Sequence, residues 1–270
     1  MSPLLSDRVT LVLLGDRALL RHQPRGLRSQ AGDTLVVTAG REDRVALLAA
    51  VQQALDGKPE WRRGSALTVI LGNSWVRYAT LPWADGLMQR EERVAYARLA
   101  LRKLYGNSLD QWDVRLSEGA FGDPWLVAGI ERDLIADLDA CAAALSWRMV
   151  SLQPALMTVA NGFPHHIAEG AVRLVLVERE RVVLARLDHG AWRDVRTRKP
   201  AVIGADGISH LENLLAQEAL LDPDDLGSSS RLCIWAFDVP GELRQRWHDF
   251  GADVLDGLDA HGPHLRWRAR

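Results

Sequence analysis

The sequence predicts an α/β protein of two similar halves, with a small α+β unit set into the first. Residues 9–14 (VTLVLL), 17–23 (RALLRHQ) and 34–39 (TLVVTA) are apolar or β-branched runs, broken by Gly15-Asp16 and by the polar stretch from Pro24 to Asp33. That is the pattern of three consecutive antiparallel strands. Residues 171–178 (AVRLVLVE), 181–187 (RVVLARL) and 191–197 (AWRDVRT) repeat it, with Glu180 and His189-Gly190 at the turns. In each half a helix and a further strand follow, and such self-similarity at about half the chain length marks a duplicated unit.

The elements follow in order. Residues 42–55 place Val45, Leu48, Ala49, Val51, Gln52 and Leu55 at mostly helical spacing, and Gly57-Lys58-Pro59 closes the segment before a strand at 66–71 (ALTVIL). Residues 75–81 (WVRYATL) alternate large apolar and polar side chains as a half-buried strand does, and Pro82 ends them because proline has no N–H for the ladder. A helix over 87–105 is expected next. Its apolar stripe is Leu87, Val94, Ala97, Leu101 and Leu104 or Tyr105, and Arg98, Arg102 and Lys103 sit in the later turns, where positive charge suits the helix dipole.

After Gly106, residues 112–117 and 124–130 form a hairpin through Gly119 and Gly122-Asp123, and 131–145 a helix rich in Leu and Ala. A short strand at 150–152 and a helix at 154–162 close the first half. The boundary is placed in Gly162-Phe163-Pro164-His165-His166, where Gly, Pro and polar residues cluster. The first lobe is then 1–162, with the inserted unit at about 75–130, and the second is 163–270, completed by a helix around 206–220, a strand at 231–237 and a helix at 241–250.

Composition narrows the function. A chain of 270 residues, 47% of them hydrophobic, can bury a sizeable core. Its 33 Lys plus Arg against 35 Asp plus Glu leave no global field to draw it to nucleic acid or an anionic membrane. Cys141 and Cys233, in a helix and a strand, suggest buried reduced thiols and neither a disulfide framework nor a thiolate metal cluster. The start MSPLLSDRVTLVLLGDRALL has no basic segment followed by a long apolar core, and no run approaches the ~20 apolar residues of a membrane span. A cytosolic chain is expected. The ten tryptophans are spread along the sequence, which favours packing over a stacking platform for bases.

Other chemistries find little support. Asp16 lies at a turn and strand 66–71 contributes no acid, so a two-metal nuclease site is not formed. His165, His166, His189, His210, His248, His261 and His264 show no metal-ligand spacing. Gly72-Asn73-Ser74 runs into Trp75-Val76 and a strand, unlike the strand-to-helix elbow of a serine hydrolase. In Gly204-Ala205-Asp206-Gly207, Asp206 is a helix cap that would repel an anion.

This arrangement resembles the actin-like superfamily: two ribonuclease H-like lobes, with an extra subdomain inserted in the first. More narrowly, the chain is similar to the actin-like assembly proteins of type IV pilus and type II secretion machines, the PilM and GspL group. WVRYATLPW (75–83), the helix leading to LYG (104–106) with Trp112 beyond it, and SWRMVSLQPALMTVAN (146–161) carry the likeness. GspL-like proteins continue into a membrane helix; ending at Arg270, the chain is expected to be nearer PilM or a stand-alone GspL-like domain.

Nucleotide binding in this superfamily uses Asp-x-Gly hairpins after the first strand of each lobe, where a carboxylate holds hydrated metal and glycine lets backbone N–H groups reach phosphate. Here the first hairpin keeps Gly15 but moves the acid to Asp16, the second has Glu178 and no glycine, and bulky Phe237 stands in the adenosine loop. The resemblance therefore implies an actin-like scaffold without nucleotide, metal or catalysis. Its expected partner is the cytosolic tail of an inner-membrane assembly protein, which would hold the chain at the membrane indirectly. Arg77, Tyr78, Trp83 and Arg98, beside the junction of the inserted subdomain and the first lobe, are the expected partner residues. The alternative is a divergent ATPase with Asp16 and Glu178 as its metal-side acids.

Overall fold

A computed structural model describes residues 7–24, 33–40, 42–62, 64–179, 181–199, 213–217, 230–237 and 241–255. The two lobes share one strand plan. In the first sheet β1 (Arg8–Leu13) pairs antiparallel with β2 (Arg17–Gln23), which carries β3 (Asp33–Thr38) at the edge; on its other side β1 runs parallel to β4 (Ala66–Leu71). Leaving out the inserted unit, the next strand added is β8 (Arg148–Pro154), parallel to β4. The second sheet repeats the order with β11 (Ala191–Arg198), β10 (Val182–Asp188), β9 (Ala171–Val177), β12 (Arg231–Ala236) and the two-residue β13 (Asp253–Val254).

Alternation decides what each sheet buries. Val9, Leu11 and Leu13 of β1, with Ala18 and Leu20 of β2, share a core with Leu47, Leu48 and Val51 of α1 (Arg44–Ala54) and with Leu134, Leu138 and Cys141 of α3 (Arg132–Ala144). Asp43 starts α1 by accepting a hydrogen bond from the Ala46 N–H at 3.0 Å. The same core continues through α4 (Ala155–Gly162) into Val172, Leu174, Leu176, Val183 and Trp235 of the second sheet, so one apolar interior spans both lobes. The far face of the second sheet, with Val175, Val177, Ile234 and Ala236, packs on Leu243 and Trp247 of α6 (Gly241–Asp249).

The inserted unit is a three-stranded antiparallel sheet in the order β5 (Val76–Leu81), β7 (Trp125–Glu131), β6 (Trp112–Ser117), covered by α2 (Arg90–Tyr105). Its two faces differ in destination. Trp125 and Val127 meet Ala97 and Leu101 of α2, whereas Val76, Tyr78, Leu126 and Ile130 join the common core. Gly129 makes this possible, because a Cβ there would lie 3.0 Å from the Trp112 ring.

Several boundaries differ from the sequence reading. The helix expected from residue 87 starts at Arg90, where Gln89 and Glu92 exchange capping-box hydrogen bonds and leave Leu87 and Met88 outside. Its stripe is also narrower, since Leu104 is exposed while the Tyr105 hydroxyl donates to the Tyr78 carbonyl at 3.0 Å. Strand β8 runs four residues beyond the expected 150–152, to Arg148 and Pro154. A short helix α5 (Pro164–Ile167) occupies the stretch where the boundary between the halves was placed. His189 and Gly190, both at positive φ, turn β10 into β11 as predicted. Glu180, most of the helix expected at 206–220, and the Gly204–Gly207 turn lie outside the described residues, though 213–217 are helical. Both cysteines are buried and free. Among the described residues no helix is long and apolar enough to cross a membrane.

Candidate functional site

Strands β1, β4 and β9 all bring their carboxyl ends to one seam between the lobes, the position where open α/β sheets place their ligand-binding loops. The β1–β2 turn is tight: the Leu14 N–H donates to the Arg17 carbonyl at 2.8 Å, and Gly15 is buried. Asp16 follows, and both its oxygens are taken. Arg17 donates to Oδ1 at 3.0 Å and to Oδ2 at 2.9 Å, and Arg179 reaches Oδ2 from the second lobe at 3.3 Å. Burial draws the Asp16 pKa upward, but the hydrogen bond from Arg17 and the charges of Arg17 and Arg179 outweigh it and hold the carboxyl below its ordinary value.

Glu178 closes the seam from the second lobe. It follows the last residue of β9 and is 3% exposed. The Asn73 backbone N–H lies 2.9 Å from each carboxyl oxygen, and the Asn73 side-chain amide donates to Oε1 at 2.7 Å. Tyr78 steadies the acceptor's partner, its hydroxyl donating to Asn73 Oδ1 at 3.3 Å. Gly72 makes room: a Cβ there would lie 3.0 Å from Glu178 Oε2, from the Leu13 carbonyl and from the Leu14 side chain. Burial pushes the Glu178 pKa from 4.5 up to about 8, against the Asn73 N–H and the Arg181 charge, with Asp16 adding to the rise. Beside it Arg181 donates to Glu42 at 2.7 Å, a further bond between lobes.

The expected site residues divide into two groups. Gly15, Asp16 and Glu178 do come together at the seam. Phe237 meets the seam through its backbone, its N–H donating to the Val177 carbonyl beside Glu178 at 3.2 Å, while its ring stands against Trp235, with centroids 3.9 Å apart and nearly perpendicular, on the wall of a cleft of about 270 Å³ lined also by Thr10, Val12, Ile70 and Arg244.

The four residues expected to hold a partner differ in exposure. Tyr78 is 2% exposed, because it shares the inward face of β5 with Val76, and so has no surface to offer. Arg77 is not a free strand arginine either: its Nη1 donates to the Ser74 and Val76 carbonyls at 3.0 and 3.4 Å, and its guanidinium lies 5.7 Å from the Trp112 ring centre. Trp83, at the other end of β5, is half-buried between Trp125 and Phe121 and donates to Asp85. Arg98 is half-buried on α2.

Sequence reasoning missed Asn73, Arg17, Arg179 and Arg181. Gly72-Asn73-Ser74 was weighed only as a nucleophile turn, and its partner Glu178 lies 105 residues away, beyond any local pattern. Among the described residues no group of three His, Cys, Asp or Glu could hold a metal ion. The acids at the seam do not fit a hydrated cation, since protein donors already engage both of them.

Two sheets of one strand order, a helix-capped unit inserted in the first lobe, and two hairpin turns meeting at the seam define an actin-like α/β protein. Solved structures agree. The PilM–PilN type IV pilus biogenesis complex matches with a TM-score of 0.61 at 11% identity, covering 92% of this chain and 87% of that one. A Bacteroides thetaiotaomicron protein of actin-like ATPase fold and unknown function gives 0.58 at 10% identity, covering 91% and 87%. The cytoplasmic domain of EpsL, an inner-membrane component of the Vibrio cholerae type II secretion system, gives 0.54 at 11% identity, covering 97% and 88%. At such identities the likeness is one of fold. No protein-family model and no curated protein matches the chain in sequence.

Proposed function

We propose that this chain is a non-catalytic actin-like adaptor of a type IV pilus or type II secretion-like envelope machine, working by binding a protein partner. The observation that carries this reading is the seam. Where the superfamily holds phosphate and metal, Glu178 sits on the Asn73 turn and Asp16 is clamped by Arg17 and Arg179. A nucleotide there must displace hydrogen-bonded, largely desolvated protein groups, at a cost that leaving them unpaired would raise further. The likeness to the PilM–PilN complex supports a protein partner, and the likeness to the EpsL cytoplasmic domain supports one at the inner membrane.

With phosphate chemistry gone, surfaces become the working parts. The partner is the cytosolic tail of an inner-membrane assembly protein, and the inserted unit, with Trp83 and Arg98 on the α2 side, is where it docks; this places the chain on the cytoplasmic side of that membrane. Tryptophan and arginine are the residue types that most often anchor interfaces. Two measurements test the proposal. Magnesium and ATP are expected to leave the melting temperature unchanged, and a rise of several degrees overturns it, because a ligand of the native state must stabilise that state. Co-purification from native cells is expected to yield an inner-membrane protein, with loss of capture in folded Arg98→Glu and Trp83→Ala variants.

The second reading, a divergent ATPase, is favoured by the actin-like ATPase fold of the Bacteroides neighbour. Under it, Asp16→Ala and Glu178→Ala each abolish magnesium-dependent hydrolysis.

A further inference from the structure

The Gly72–Asn73 turn has the features of a receptor, not of a passing contact. Its backbone N–H faces both oxygens of one carboxyl group, its side-chain amide donates to one of them, and Tyr78 fixes the amide by binding its oxygen. The missing Cβ of Gly72 is what lets the carboxyl enter, and the Trp75 indole N–H, donating to the Leu14 carbonyl at 3.0 Å, ties this turn to the β1–β2 turn. The group received comes from the other lobe, 105 residues away.

We propose that this turn is a carboxyl-binding seat on the first lobe and that Glu178 is its built-in ligand, holding the lobes together without any bound nucleotide. The remaining charges at the seam serve the same closure from the sides. Asp16 with Arg179 and Glu42 with Arg181 each join the lobes, and Arg17 stays on its own lobe with Asp16. These outer pairs are more exposed, with Arg179 at 62% and Glu42 at 47%, so solvent weakens them and the buried carboxyl carries the closure. The inference rests on the nucleotide-free reading of the seam, but its test contains no nucleotide, so either can fail alone.

The test is chemical rescue. Glu178→Ala removes the carboxyl and one methylene, a space of the size and chemistry of acetate. In this variant, backbone amides of residues 72–75 and 13–17 are expected to exchange with deuterated solvent about tenfold faster than in the parent chain. Acetate is expected to restore protection and melting temperature, with chloride at equal ionic strength doing neither. Unchanged exchange in Glu178→Ala, or equal effects of acetate and chloride, overturns the proposal. If that variant fails to fold, Glu178→Gln decides. A carboxyl group, protonated or not, keeps a lone pair on each oxygen for the Asn73 N–H, whereas the amide nitrogen of Gln accepts nothing, so faster exchange at 72–75 that acetate does not reverse is expected, and parent-like exchange overturns the proposal.

Discussion

Glu178 makes the stability of this protein depend on pH in a direction opposite to the common carboxylate case. Its pKa stands at about 8 in the native chain, chiefly because burial disfavours the anion, against 4.5 when solvated. The native state therefore keeps a proton that the unfolded chain gives up. Stability from this group is complete below 4.5, falls as pH rises, and is lost once pH passes about 8. Between those limits the unfolded state binds one proton fewer, so the slope is about 1.4 kcal/mol lost per pH unit, and the full span amounts to about 5 kcal/mol. Asp16 has the opposite sign, being held below its ordinary value, but it changes charge only in acid and drops out above about pH 5.5. Urea unfolding between about pH 5.5 and 8.5, done in parallel on Glu178→Gln, isolates the term, because every other titrating group is common to both chains. The difference between parent and variant is expected to shrink in that window at the stated slope. Curves that run parallel across it refute the reasoning and leave Glu178 an ordinary ionised carboxylate.

Three further outcomes follow from the inserted unit. Gly129→Ala forces a Cβ to 3.0 Å from the Trp112 ring, and is expected to cost about 1–3 kcal/mol by urea unfolding, much less once Trp112 is replaced by Leu. Trp112→Ala and Trp125→Ala, at buried positions, are each expected to cost roughly 3–5 kcal/mol, and half-buried Trp83→Ala clearly less; a Trp83 loss as large as that of Trp125 contradicts the assigned packing. Arg77→Glu is expected to lower stability by about 1–3 kcal/mol, because it exchanges a donor to two carbonyls for a third acceptor, so that variant cannot report on partner binding unless its folding is checked first.

The fold was legible because its signals are local. Alternation at Val9, Leu11 and Leu13, the glycine turns and the repeat of that pattern after residue 171 each fall within a few residues, and hydrophobic periodicity is dependable at that range. Tyr78 shows the same rule neglected: it lies two positions from Val76 and on the same face, so its burial was written in the strand that proposed it as a contact. The start of α2 was missed for a different reason. Leu87 continues the apolar stripe, but Gln89 and Glu92 cap the helix three residues later, and a hydrogen-bonded cap overrides periodicity.

The candidate site lay beyond that range. Glu178 is conspicuous in sequence as an acid at the end of an apolar strand, yet nothing near it names Asn73 as its partner, and the pair exists only because two strands of separate sheets end at one seam. A buried acid at the end of a core strand is costly unless donors meet it. The search for those donors belongs among the turns that follow neighbouring strands, and a glycine followed by asparagine is the turn chemistry that suits them, since glycine admits close approach and asparagine supplies both a backbone and a side-chain N–H. Applied here, that physical requirement leads from Glu178 to Gly72-Asn73 after β4, the same strand whose lack of acids had argued against catalysis. The strand without an acid is thus the one whose following turn supplies the donors: at this seam the first lobe offers N–H groups to a carboxyl of the second.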